Sequence, residues 1–187
     1  EYLKENYHID YSKAFAKSLT ELPGLEALDT CDCMILFTRR LQISGEPLER
    51  IKRYFDQGRP AIGIRTASHA FQNWLELDKV VFGGDYQNHY GKDFQPCIEV
   101  VETAKGHPLV QGFEPYTSAG SLYRNPNLAA DTTVLLKGTI PDHTEPVAWT
   151  RIHKGARVFY TSLGHPDDFR QKSFLRLLTR AVFWVCE

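Results

Sequence analysis

No stretch of this 187-residue chain comes near the roughly 18 consecutive apolar residues of a transmembrane helix, so the sequence predicts no membrane span. Charge of one sign is also missing. Lysine and arginine number 22 against 23 aspartates and glutamates, for a formal net charge of -1. Nothing in that balance suggests a nucleic-acid surface or a polybasic membrane patch. Cysteine is sparse: Cys31, Cys33, Cys97 and Cys186 form no Cys-x-x-Cys pair and no Cys/His finger spacing. Cys31 and Cys33 are one residue apart, and a disulfide between them would be strained, so all four read as thiols in or near the core. Internal repeats, low-complexity linkers and a compact His-x-x-x-His pair are absent too.

What is present is ordinary globular material, 42% hydrophobic and 24% charged, enough for one domain with a real core. Glu1–Asn6 is helical in character, whereas an α/β domain normally opens on a strand, so a native N-terminal strand is expected ahead of it. Tyr7–Tyr11 alternates and predicts a strand. Cys31–Phe37 is a short apolar run, the pattern of a strand buried on both faces. In the following "EPLERIKRYFDQG", Leu48, Ile51, Tyr54 and Phe55 fall at helical spacing, Pro47 suits the first turn and Gly58 a C-terminal cap. Pro60–Ile64 is again a strand. Strand, helix, strand with short links is a βαβ crossover, which predicts a parallel sheet with helices on both faces. A helix is expected over His69–Leu77. Strands are expected at Pro96–Glu102, Thr133–Gly138, Pro146–Ile152 and Ala156–Leu163, the last two joined by a "HKGA" hairpin. An amphipathic helix with a stripe of Phe174, Leu177, Leu178, Ala181, Val182 and Val185 closes the chain. Trp74, Trp149 and Trp184 sit in apolar patterns and are expected in the core.

Ligands of open parallel sheets bind beyond the carboxyl ends of the strands. Two such ends stand out. In the first, "RTASH" (Arg65–His69), a strand hands over to a helical turn, and Arg65 occupies the place where many α/β enzymes present a nucleophile. A guanidinium there offers a planar fork for an anion or hydroxyls; an internal ion pair with Asp167 or Asp168 is the alternative. The second, "SLGHPDDF" (Ser162–Phe169), holds His165 between a glycine and a proline, as a general acid–base group, with Asp167 or Asp168 to orient it or to cap a helix. The polar loop "GGDYQNHYG" (Gly83–Gly91) supplies His89. Three histidines, His69, His89 and His165, with an aspartate make zinc the weaker alternative to a site with no cofactor. Tyr123, in "SAGSLYRNP", lines a polar-ligand site or packs on the sheet. A hydrolase built on Ser68 beside His69 is disfavoured, since neighbours in sequence rarely point at each other and the Gly-x-Ser-x-Gly elbow is missing.

"PAIGIRTASHAF", "GGDYQNHYG", "GHPLVQGF", "EPVAWTRIHKGARVFYTSLGHPDDF" and "FLRLLTRAVFWV" occur in the order seen in ThuA-like (trehalose-utilisation) proteins. The resemblance runs from about Cys33 onward and is most specific over Val147–Arg151 and Arg157–His165. It implies an α/β, flavodoxin-like three-layer sandwich with a mostly parallel central sheet, similar to class I glutamine amidotransferases, as one domain over residues 1–187. The family's N-terminal strand and loop would lie next to the site. In amidotransferases "PxxGIC" places a catalytic cysteine at the elbow; here "PAIGIR" places Arg65, which cannot supply a thiolate, so glutaminase activity is not expected. Relatives carry a histidine at that place, and "GSLY" puts Ser121 where many have an acid. His165 matches the family's "LGH" and His89 its histidine after "GG". The resemblance implies a protein that acts on or binds a carbohydrate or oxidised sugar, with His165 and Asp167 catalytic and Arg65, Thr66, His69, His89 and Tyr123 holding the ligand. The alternative is a non-catalytic binding or interaction module. The expected partner is a small molecule; a homo-oligomer suits such folds.

Overall fold

Ala61, Ile62, Gly63 and Ile64 have no exposed face, and the rest of the chain is arranged around them. The computed structural model describes residues 2–91 and 93–187. In it these four residues form β2 (Ala61–Ile64), beside β1 (Met34–Leu36). The remaining strands are β3 (Cys97–Val100), β4 (Tyr116–Thr117), β5 (Thr133–Ile140), β6 (His143–His153) and β7 (Ala156–Thr161). They make one seven-stranded sheet in the order β1-β2-β7-β6-β5-β3-β4.

The expectation of a mostly parallel sheet is corrected here: the sheet is mixed. β1 pairs with β2 and β2 with β7 in parallel, with Leu36 opposite Gly63 and Gly63 opposite Tyr160. From β7 outward every pairing is antiparallel. The reason is local. β5–β6 and β6–β7 are each closed by two residues, Pro141–Asp142 and Lys154–Gly155, and a two-residue link allows only antiparallel neighbours. Asp142, Lys154 and Gly155 have φ of 65°, 49° and 88°, the left-handed backbone that such tight hairpins use.

Alternation along β2 and β7 divides the interior into two cores. Ala61, Val158 and Tyr160 face α2 (Glu46–Asp56), which buries Leu48, Ile51, Tyr54 and Phe55 as its spacing predicts. Ile62, Ile64 and Phe159 face α3 (Lys172–Cys186), with Phe174, Leu177, Ala181, Val182 and Val185. Full burial of one such aliphatic or aromatic side chain is worth about 1.5–3 kcal/mol, so each helix is held mainly by its stripe. Trp149 is fully buried, and its indole N–H donates to Phe82 O at 2.7 Å. Trp74 and Trp184 are only partly buried.

Other expectations are corrected as well. Glu1 lies outside the described residues; the opening helix is α1 (Tyr2–Tyr7). It takes up Tyr7, and residues 8–11 are irregular and mostly exposed rather than a strand. β1 is shorter than expected and lies at the sheet edge, leaving Ile35 46% exposed. The helix expected over His69–Leu77 is replaced by a 3-10 turn, Arg65–His69, then irregular chain leading to a π-helical turn, Asp78–Phe82. The backbone there is committed elsewhere: His69 O and Ala70 O accept from Arg40 N and Leu41 N, and Gln72 N donates to Leu41 O. Cys97 and Cys186 are exposed, not core thiols.

Candidate functional site

The parallel register aligns the carboxyl ends of β1, β2 and β7, and the candidate site lies just beyond them. Where β2 ends, Arg65 turns with φ of +46°, a left-handed conformation unusual for a residue with a side chain. Its carbonyl anchors the turn, accepting from the Tyr160 hydroxyl at 2.7 Å and from Ser68 Oγ at 3.3 Å. The guanidinium folds back over the sheet. Nη1 donates to Ser162 O at 3.1 Å, Nη2 reaches Ser121 Oγ at 3.5 Å, and the guanidinium carbon lies 4.9 Å from the centre of the Tyr123 ring. Gly120 makes room for it: a Cβ there would sit 2.7 Å from Nη1.

The ion pair considered for Arg65 is not formed among the described residues. Asp167 instead contacts Arg170 at 3.1 Å and His165 Nδ1 at 3.5 Å, and buried Asp168 accepts from the backbone N–H groups of Gly164 and His165 at 2.8 and 2.9 Å. Asp168 therefore shapes the loop, while Asp167 is the carboxylate beside the imidazole.

Tyr123 is the floor of the site, only 4% exposed. The loop after Gly83 runs against residues 122–124: Tyr90 N donates to Leu122 O and Arg124 N to Asn88 O, and His89 bridges to Tyr123. This brings His89 within 6.4 Å of the Tyr123 ring centre and Tyr86 within 4.6 Å. His69 stacks on Tyr86 at 4.6 Å with an interplanar angle of 19°. Its Nδ1 is 3.0 Å from Ser68 Oγ, so these sequence neighbours do meet; Ser68 is buried and braces the ring. Burial, reinforced by Arg40, Arg39 and Arg65, pushes the His69 pKa down to about 4, so the ring is neutral at pH 7.

Asp78 sets the height of Tyr86, accepting from its backbone N–H at 2.9 Å. Desolvation raises the Asp78 carboxyl to about 6, against the opposing pull of that N–H. Asp85, next to Tyr86 in the chain, is satisfied by Lys79 at 3.1 Å and by Asn127 and Gln87.

Of the residues singled out from the sequence, the structure gathers Arg65, His69, His89 and Tyr123 into one group. Thr66 sits half-buried in the same turn. His165 follows Gly164, whose added Cβ would lie 3.4 Å from Arg65 Cβ, and makes no aromatic contact with the group among the described residues. The described residues contain no group of three or more His, Cys, Asp or Glu side chains placed to hold a metal, so His69, His89 and His165 do not assemble as a zinc site. Tyr86, Asp78, Arg39 and Arg40 were missed. A signal existed for the two arginines: they lie three and four residues past Leu36, the last residue of β1, and the strand-end rule applied to Arg65 extends to them.

The chain resembles solved structures at low identity. A ThuA-like protein from Bacteroides uniformis matches with a TM-score of 0.72 at 22% identity, covering 98% of this chain and 80% of that one. Another from Parabacteroides merdae matches at 0.63 and 19%, covering 83% and 70%. A cytoplasmic protein from Salmonella typhimurium matches at 0.55 and 18%, covering 86% and 74%. At such identities the likeness is one of fold. No curated protein sequence matches the chain. The model of the family named for trehalose utilisation, ThuA, matches residues 2–185, and the chain belongs to that family.

Proposed function

We propose that this domain binds a carbohydrate or an oxidised sugar at the ends of β1, β2 and β7. One observation carries the reading: an arginine, a neutral histidine and two tyrosines converge at the elbow of a ThuA-family fold. Sugars present apolar ring faces edged by hydroxyls, and aromatic surfaces with a few fixed polar groups suit them. Glutamine hydrolysis is not part of the proposal, because Arg65 offers no nucleophile where an amidotransferase needs a thiolate. His165 is assigned the acid–base role; the Asp167 backbone N–H, donating to Nδ1 at 3.3 Å, orients the ring, and the Asp167 carboxylate lies 3.5 Å from the same nitrogen.

The second reading is a binding module without chemistry. The absence of a ring contact between His165 and the aromatic group, among the described residues, favours it. Melting curves of wild type and Arg65→Ala against mono- and disaccharides and their keto and acid forms test the proposal. A sugar at about 100 times its Kd adds roughly 2.7 kcal/mol, a shift that Arg65→Ala should abolish. If no sugar of any form shifts the melt, the carbohydrate reading fails. Turnover of a bound sugar that His165→Ala removes, with binding kept, decides for the enzyme over the module.

A further inference from the structure

Three arginines, Arg39, Arg40 and Arg65, gather at one edge of the candidate site, while its carboxylates are engaged elsewhere: Asp85 with Lys79, Asp167 with Arg170 and Asp168 with backbone N–H groups. Arg39 and Arg40 leave the carboxyl end of β1 three and four residues past Leu36, which pairs with Gly63, two residues before Arg65. The two adjacent parallel strands thus deliver three guanidinium groups to one edge. Arg40 is tied to the elbow, its backbone N–H donating to His69 O at 2.9 Å, and it too has a left-handed backbone, with φ of 52°. Arg39 and Arg40 are exposed and have no carboxylate partner among the described residues. Arg39, Arg40 and Arg65 all lie close enough to act electrostatically on the rings of His69, Tyr86 and Tyr123. Elsewhere Arg50, Arg53, Arg151, Arg157 and Arg170 pair with carboxylates, while Arg59, Arg176 and Arg180 donate to backbone carbonyls and Arg124 lies over the Tyr90 ring.

Arg65 spends two of its N–H donors on Ser162 O and Ser121 Oγ and its face on Tyr123. It fixes the floor and adds charge. Arg39 and Arg40 keep their forks free for a ligand. A neutral sugar would leave this uncompensated charge as it is; an anion would neutralise it through charge-assisted hydrogen bonds. We propose that the ligand is an anionic sugar, carrying a carboxylate or a phosphate, whose acid group is held by Arg39 and Arg40 beside the half-buried His69 and Tyr86. For the sugar scaffold the inference rests on the carbohydrate reading; for the charge it rests on the arginines alone.

Titration calorimetry of the full chain with glucose, glucuronate, glucose 6-phosphate and inorganic phosphate tests it, alongside Arg39→Gln/Arg40→Gln. Both positions are exposed, so the variant should fold, with its melting temperature as the control. A charged sugar should bind at least about tenfold tighter than glucose, and the double substitution should remove that advantage. Glucuronate against glucose 6-phosphate separates carboxylate from phosphate. If glucose and both charged sugars bind alike, or the preference survives the double substitution, the anion inference is overturned and the carbohydrate reading stands. If inorganic phosphate binds through Arg39 and Arg40 while none of the three sugars does, the anion site stands and its assignment to an anionic sugar falls. If none of the four binds, the anion inference is overturned, and the carbohydrate reading is decided by the melting curves with the wider set of sugars.

Discussion

The Tyr160 hydroxyl donates to the carbonyl of Arg65 at 2.7 Å, from the strand next to the one that Arg65 ends. The left-handed turn at Arg65 is thus held from β7, and the guanidinium is aimed from a fixed backbone. Tyr160→Phe keeps the ring and removes the donor. With Ser68 still 3.3 Å from that carbonyl, the cost should sit at the low end of the usual penalty for an unpaired buried acceptor, about 1 kcal/mol. Urea unfolding measures it. No loss in the midpoint would mean that the turn does not depend on β7.

Gly120 separates stability from site geometry. The added methyl of Gly120→Ala meets the far end of the Arg65 side chain, Nη1 at 2.7 Å, rather than backbone. A guanidinium can swing away, so stability should change by less than about 1 kcal/mol. The group must then leave the face of Tyr123. The Arg65 Nε–H proton resonance, shifted by the tyrosine ring current, should move toward its free value. An unmoved resonance would place Arg65 elsewhere than described.

The sequence made some elements legible and hid others, for physical reasons. α2, β2, α3 and the β6–β7 hairpin carry their own pattern: a helical stripe, a run with no polar face, a two-residue turn. The antiparallel pairing of β3 with β5 does not follow from any single segment, because it joins residues far apart, such as Ile98 with Gly138. The segment after His69 looks helical, yet its carbonyls serve Arg40 and Leu41, a bond partner that local periodicity cannot reveal. At the site, Arg65 and His69 were visible because they follow a clear strand. Tyr86 was not, because what places it is the buried carboxyl of Asp78 eight residues earlier.

His69 and Asp78 should pull the pH dependence of stability in opposite directions. His69 is held near 4 against an unfolded value of about 6.5, so between these the unfolded chain takes the proton and the folded one does not. Its effect makes stability fall as pH drops through that window. Asp78 is held near 6 against 3.8, so the folded chain keeps the proton; its stabilisation is full below the lower value and is lost as pH rises through about 6. Asp78→Asn should therefore steepen the rise of stability from pH 4 to 6, and His69→Gln should flatten or reverse it. Urea midpoints across that range give both slopes. Curves parallel to wild type for either variant would refute the shift assigned to that group.

Gly63 ties the site to the core. A Cβ there would lie 2.7 Å from Phe82 Cε1 and 2.8 Å from Tyr160 Cδ2, both on fully buried rings that cannot swing into solvent. Gly63→Ala should overpack the interior and cost about 1–3 kcal/mol. If the clash with Phe82 is the cause, Phe82→Leu opens space on that side, although alone it loses core contact. The double variant Gly63→Ala/Phe82→Leu should then be more stable than the sum of the two single losses, with a coupling of at least about 0.5 kcal/mol. Chemical unfolding of the four proteins gives the cycle. Additive losses would move the cause to Tyr160, and Gly63→Ala should in that case disturb the hydroxyl that holds Arg65.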